Sequence, residues 1–121
     1  MFYVMCKSKI SNAVVTGKNL YYQGSITIDS DIIEKARMLS NEMVDVLNLN
    51  NGARITTYII PGESGSGIIE LNGPASRFFE TGDNIIILSS CIIDEKEAKN
   101  WKKKTIKLKN NNKTIESEIT T

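Results

Sequence analysis

The sequence predicts a mainly β fold, a small closed barrel of six to eight short strands with two or three brief helices. Three observations carry that prediction. Polar and apolar residues alternate over short runs, as in Tyr3 to Ile10 and Ser25 to Ile28, which is the period of a half-buried strand. Turn chemistry separates the runs: Asn51-Gly52, Pro61-Gly62 and Gly82-Asp83. No strand–helix–strand pattern repeats, so a parallel layered sheet is not expected, and closure into a barrel removes the edges that short strands leave exposed.

In chain order, Tyr3 to Ile10 is predicted as a strand with Met5, Lys7 and Lys9 on one face and Cys6, Ser8 and Ile10 on the other. Ala13 to Thr16 reads as a second strand ended by Gly17, and Lys18 to Gln23 as a connection. Ile26 and Ile28 share a face of the next strand. Asp29-Ser30-Asp31 supplies helix caps and first-turn acids, and Ile32, Ala36, Leu39 and Met43 follow at helical spacing, which predicts about three turns of helix. Val44 to Leu49 and Ile55 to Ile60 are β-rich runs around Asn51-Gly52, a hairpin signal, with Pro61-Gly62 closing the second strand. Ile68 to Leu71 is another strand. Pro74 suits the first position of a short helix. Asn84 to Ser90 is a buried strand, and Asp94-Glu95-Lys96-Glu97 opens a short helix reaching Trp101. Lys104 to Leu108 is the last expected strand. The Asn/Lys-rich stretch after Lys109 offers little to bury and is expected to be disordered, so the predicted domain is residues 1–108 with a polar tail at 109–121.

Bulk properties exclude several chemistries. The 121 residues fit one domain, and no apolar run approaches the ~20 residues that cross a bilayer. No secretion signal is read at the N-terminus, and Cys6 and Cys91 are expected to be free thiols in a cytoplasmic protein. The chain has no histidine, which removes Ser-His-Asp and Cys-His catalysis and histidine metal clusters. No metal site is expected. The net charge of +1 favours neither nucleic acid nor membrane as a partner.

Several short features could carry chemistry. Gly24-Ser25 joins a turn to a strand; a strained peptide there lets the serine hydroxyl attack the preceding carbonyl, although such a dipeptide is more often only a turn glycine before a strand. Ser64-Gly65-Ser66-Gly67 lacks the lysine and following helix of a phosphate loop and reads better as a turn. The lysines from Lys102 to Lys113 read as a solvated basic tail before they read as a nucleic-acid contact. Arg54, Thr56 and Tyr58 share one strand face, with Thr57 opposite. Arg54 suits a carboxylate and Tyr58 can donate a proton, but a surface hairpin pair has the same pattern. Lys9 is similarly open between a site residue and a solvated strand lysine.

Taken together, Lys7-Ser8-Lys9-Ile10, Tyr22 to Asp29, Asn50 to Arg54, Thr57 to Glu63, Gly65-Ser66-Gly67 and Leu71 to Ala75 resemble the aspartate 1-decarboxylase family, in order and from the N-terminus to about Lys107. The resemblance implies a double-ψ β-barrel assembled as a homotetramer with active sites between subunits. It implies a proenzyme cleaved between Gly24 and Ser25, with Ser25 converted to a covalent pyruvoyl group and no pyridoxal phosphate. That group would form a Schiff base with L-aspartate and accept electrons as carbon dioxide leaves, giving β-alanine for pantothenate and coenzyme A synthesis. It further implies Tyr58 as proton donor, Lys9 and Arg54 as cationic anchors for the substrate, and Thr57 as an aid to both processing and substrate binding. Asn72 would position backbone and substrate, and Gly73-Pro74-Ala75 would form the substrate loop. Many members have histidine where this chain has Ser11 and Tyr21, and a small residue in place of Pro74. A maturation factor is compatible with the resemblance. Two rivals stay open: an unprocessed barrel acting as a binding protein, and a pyruvoyl decarboxylase for another acidic amino acid such as glutamate.

Overall fold

The computed structural model describes residues 1–20 and 24–121. The expectation attached to Tyr21, together with Tyr22 and Gln23 of the predicted connection, lies outside the described residues. The fold is mainly β with short helices, as expected. Among the described residues, nine strands form one mixed sheet in the order β2-β6-β3-β5-β4-β7-β1-β8-β9.

The first strand, β1 (Phe2–Val14), is a single element where the sequence suggested two. Its register against β7 (Asn84–Asp94) shifts between Cys6 and Ser8 and again between Ile10 and Ala13. These irregularities absorb the polar interval Ser11-Asn12 that read as a break, and they let a long strand bend around the core. They also interrupt the alternation counted from Met5. Ser8 and Ile10 are buried and Lys9 faces outward. The stretch expected to be a connection begins with a short strand, β2 (Gly17–Asn19), parallel to β6 (Ile69–Asn72).

Strand β3 (Ile26–Asp29) runs into α1 (Ser30–Lys35), which is six residues long rather than three turns. Asp29 caps it by accepting from the Asp31 amide. It stops because Arg37 takes a left-handed conformation, φ 58°, which turns the chain so that the Met38 amide reaches back to the Ile33 carbonyl at 3.0 Å. Ala36 and Met38 are buried while Leu39 and Met43 are exposed, so half of the apparent helical stripe never meets the core. Met43 instead opens β4 (Met43–Asn48).

The hairpin signal holds: β4 pairs antiparallel with β5 (Arg54–Gly62). Pro61 and Gly62, expected to close that strand, continue it and pair with Ile28 and Asp29 of β3. Proline is tolerated there because it lies near the strand end, where fewer ladder bonds are required of its nitrogen. A 3-10 turn, η1 (Gly73–Phe78), follows β6 with Pro74 in its first turn, as the sequence suggested. Strand β7 extends through Asp94, whose carboxylate accepts from the Glu97 amide and caps the four-residue α2 (Glu95–Ala98). Trp101 lies beyond that helix and donates its indole N–H to the Cys6 carbonyl at 2.7 Å.

The expected disordered tail is a strand. β8 (Lys104–Lys109) pairs parallel with β1 and antiparallel with β9 (Thr114–Thr120). Composition gave little apolar area, but β8 supplies an open edge, and Lys104–Glu118 and Lys107–Glu116 pairs at 3.0 and 3.3 Å bridge the two strands. The lysines read as a solvated tail are therefore partly neutralised across a ladder. The turn is held by Asn112, which is buried, accepts from the Val14 amide at 2.9 Å and donates to the Val14 and Gly67 carbonyls at 2.7 and 3.0 Å.

The core is built largely from branched aliphatic residues facing inward from successive strands: Ile10, Ile26, Ile28, Ile59, Ile69, Leu71, Ile85, Ile87, Ile106 and Leu108 are fully buried. Each contributes about 1.5–3 kcal/mol on burial, and the β-branched majority suits a pleated surface. This inward set fixes the outward one, which carries the candidate site.

Candidate active site

Ser25 immediately precedes β3 and is fully buried. Its φ is 101° and that of Gly24 is 123°. Glycine adopts such an angle freely, but serine does not, and a non-glycine residue held there stores about 1–3 kcal/mol. Among the described residues, a side chain built on Gly24 would meet nothing within 4 Å.

The strained residue is held by β6. Antiparallel pairing of Ile26 with Leu71 sets Asn72 against Ser25, across 47 positions of sequence. The Asn72 backbone N–H donates to the Ser25 carbonyl at 2.9 Å. Its side-chain amide donates to Ser25 Oγ at 2.9 Å and to Thr27 Oγ1 at 3.0 Å, which engages both amide hydrogens. Asn72 is itself buried, so these bonds form out of competition with water. The serine hydroxyl is thus fixed in place while keeping its own hydrogen and a lone pair.

Parallel pairing of Ile26 with Ile59 is the first step of the β3–β5 ladder, so Thr57 and Tyr58 are the two residues of β5 that immediately precede the start of that pairing. Thr57 turns inward and is buried; Arg54, Thr56 and Tyr58 lie on the outward face, as the period of the strand requires. Gly73, Pro74 and Ala75 follow Asn72 directly in η1, with the Gly73 carbonyl accepting from Ser76 Oγ at 2.7 Å. Because Pro74 sits where a helix has no partner for an N–H, its missing donor does not weaken the turn.

The cationic candidates lie on β1 and β5. Arg54 Nη2 donates to Asp45 Oδ2 at 2.9 Å, and Thr56 Oγ1 donates to Asp45 Oδ1 at 2.7 Å. Lys9 pairs in register with Leu88, and Leu88 with Asp45, so Lys9, Asp45 and Thr56 lie on one row across β1, β7, β4 and β5. Partners directly opposite share a face, so this row is the outward side of the sheet. A single chain therefore brings Ser25, Thr27 and Asn72 together, carries Thr57 and Tyr58 on the strand that pairs with β3, and presents Arg54 and Lys9 outward on β5 and β1, with β4 and β7 between them. Ser11 points its hydroxyl at the Ile106 carbonyl, 3.4 Å away.

The Ser64–Gly67 turn is not a phosphate site. Its Gly65 and Gly67 amides donate to the carboxylate of Asp29 at 3.1 and 2.8 Å, so an internal anion already occupies them. Among the described residues there is no cluster of three or more His, Cys, Asp or Glu able to hold a metal ion, and no helix long and apolar enough to cross a membrane.

Two contacts escaped the sequence reading. Thr27 shares the Asn72 amide, and Asp45 holds Arg54. Both follow from strand register: once β4 and β5 are aligned, Asp45 is opposite Thr56 and two positions from Arg54 along the face. A lone charged residue at the centre of the β-rich run Met43–Asn48 was the available signal.

A family model described as aspartate decarboxylase matches residues 1–115. Among curated proteins, the aspartate 1-decarboxylase of Thermoanaerobacter pseudethanolicus is 57% identical over 111 residues, 92% of this chain and 95% of the relative. That of Carboxydothermus hydrogenoformans is 50% identical over 95% of this chain and 91% of its own length. That of Listeria monocytogenes is 53% identical over 93% and 88%.

Proposed function

The chain belongs to the aspartate decarboxylase family, and from that premise we propose how its residues make and use the catalytic carbonyl. The reaction is decarboxylation of L-aspartate to β-alanine and carbon dioxide, a carboxy-lyase activity. The observation that carries the residue-level reading is the Gly24-Ser25 peptide, strained at φ 101° and clamped by Asn72.

Ser25 is first the nucleophile. Its Oγ attacks the Gly24 carbonyl carbon, the peptide C–N bond breaks, and an ester forms as the nitrogen takes up a proton. Elimination at Ser25 then breaks the Cβ–Oγ bond, leaving Gly24 as a free carboxylate and residue 25 as dehydroalanine. Water adds, ammonia leaves, and residue 25 ends as an N-terminal pyruvoyl group. The stored strain of about 1–3 kcal/mol is released when the peptide opens, which favours the forward direction. Asn72 holds the hydroxyl, and Thr57, two residues before the start of the β3–β5 pairing, is the second hydroxyl assigned to processing.

The residues fit the group that results. The Asn72 amide that donates to Ser25 Oγ also borders Thr27, and Tyr58 immediately precedes Ile59, the partner of Ile26. A pyruvoyl group supplies a ketone for the substrate amine and an electron sink for the bond to the departing carboxylate. Tyr58 supplies the proton that replaces the carboxylate, since its phenol is on the outward face where substrate arrives. Arg54 and Lys9 receive the carboxylates of aspartate; a charge-assisted hydrogen bond contributes about 1.5–3 kcal/mol, so loss of Arg54 costs roughly tenfold to a hundredfold in substrate handling. Gly73, Pro74 and Ala75 shape the adjacent loop. The outward position of Arg54 and Lys9 supports a site completed at a contact between copies, in a homotetramer.

Denaturing mass analysis of purified protein tests the processing. Fragments 1–24 and 25–121 are expected, the larger lighter by one ammonia than a chain beginning with intact serine. Only full-length chain after long incubation, together with no release of carbon dioxide from aspartate, overturns it.

A further inference from the structure

We propose that Asp45 is a positioning residue for substrate recognition: it holds the Arg54 guanidinium in the orientation that receives a carboxylate. The inference rests on the reading of Arg54 as a substrate anchor. The geometry is a relay on one strand face. Asp45 lies directly opposite Thr56 in the β4–β5 ladder, and Thr56 Oγ1 donates to Asp45 Oδ1 at 2.7 Å. That bond orients the carboxylate and leaves Oδ2 to accept from Arg54 Nη2 at 2.9 Å.

The contact is end-on, through one guanidinium nitrogen. Arginine has five N–H donors in a planar fork, so a single bond restrains the plane and leaves most of the fork for a second carboxylate. Were Asp45 bound through both edge nitrogens, it would compete with substrate. Arg54 is well exposed, with 58% of its side chain accessible, whereas that of Asp45 is 28% accessible and anchored by Thr56. The less mobile partner therefore sets the position of the more mobile one. Without Asp45, a long flexible side chain must be ordered at the moment substrate binds, and that cost falls on affinity rather than on the bond-breaking step.

Steady-state kinetics on Asp45→Asn, expressed per cleaved chain, test this. KM for L-aspartate is expected to rise about three- to fivefold, the scale of an exposed ion pair, with a much smaller change in kcat. Thr56→Val, which frees the Asp45 carboxylate, is expected to shift KM in the same direction by less. Asp45→Asn in an Arg54→Ala background should add nothing, because the role acts only through the guanidinium. An unchanged or lowered KM in Asp45→Asn overturns the proposal, a lowered value showing competition instead. So does a folded Asp45→Asn chain that fails to cleave, which would put the residue in processing. If Arg54→Ala leaves KM unaltered, the anchor reading falls and takes this one with it; if Arg54→Ala raises KM and Asp45→Asn does not, only Asp45 is wrong.

Discussion

Replacing Asn72 with alanine probes the clamp on the nucleophile. The substitution removes donors to Ser25 Oγ and Thr27 Oγ1, at 2.9 and 3.0 Å, while leaving the backbone bond from residue 72 to the Ser25 carbonyl. Two neutral hydrogen bonds contribute about 1–3 kcal/mol together. Ser25 has no exposed surface through which water could replace the lost donor, so the stability cost is expected near the upper end, about 3 kcal/mol. Self-cleavage depends on where Oγ is held relative to the Gly24 carbonyl. If half of that loss, about 1.5 kcal/mol, is felt in the attacking geometry, cleavage slows roughly tenfold. The assay is a time course of intact mass under denaturing conditions, scored as the ratio of 1–24 plus 25–121 to full-length chain, beside urea unfolding. A variant that is destabilised yet cleaves at the wild-type rate would show that Asn72 supports the fold and does not hold the nucleophile.

Two more expectations follow from the same structure. Ser25→Ala and Ser25→Gly both remain uncut, but glycine should be the more stable by about 1 kcal/mol, because it sheds ~1–3 kcal/mol of left-handed strain and loses ~0.5–1 kcal/mol in chain entropy; equal stabilities in urea unfolding would deny the strain. The hydrogen bond from Lys104 holds the Glu118 carboxyl below its ordinary value, against a smaller opposing effect of desolvation. A lowered folded-state value means the contribution is complete above the ordinary glutamate range and is lost as pH falls through the shifted one. Glu118→Gln should therefore speed amide exchange in β9 at neutral pH and match wild type in acid; a difference that persists in acid would remove the ion pair as its cause.

The legible part of this protein was local. Period-2 alternation marked the strand around Ile26, β-rich and apolar runs marked those around Ile59 and Ile87, and Asn51-Gly52 marked the hairpin, because each signal is complete within a few residues. Helix length was not legible: the stripe from Ile32 to Met43 lacked any mark that Arg37 would turn left-handed and hand Met43 to a strand. The order of the tail was not legible for a related reason. Residues 114–120 have little to bury alone, and their strand exists because β8 offers an edge and Asn112 pins the turn to Val14 and Gly67.

The same division runs through the site. The sequence by itself determined the chemistry available: a Gly-Ser peptide, no histidine, an arginine and a tyrosine four apart on one strand face, and the ordered motifs of a decarboxylase family. Only the tertiary structure decided how those groups are used. It sets Asn72 on Ser25 across 47 positions, fills the Gly65 and Gly67 amides with Asp29, and gives Arg54 to Asp45. The physical reason is that residue type fixes what a side chain can donate or accept, whereas strand register, set by burial of the opposite face, fixes which partner it meets.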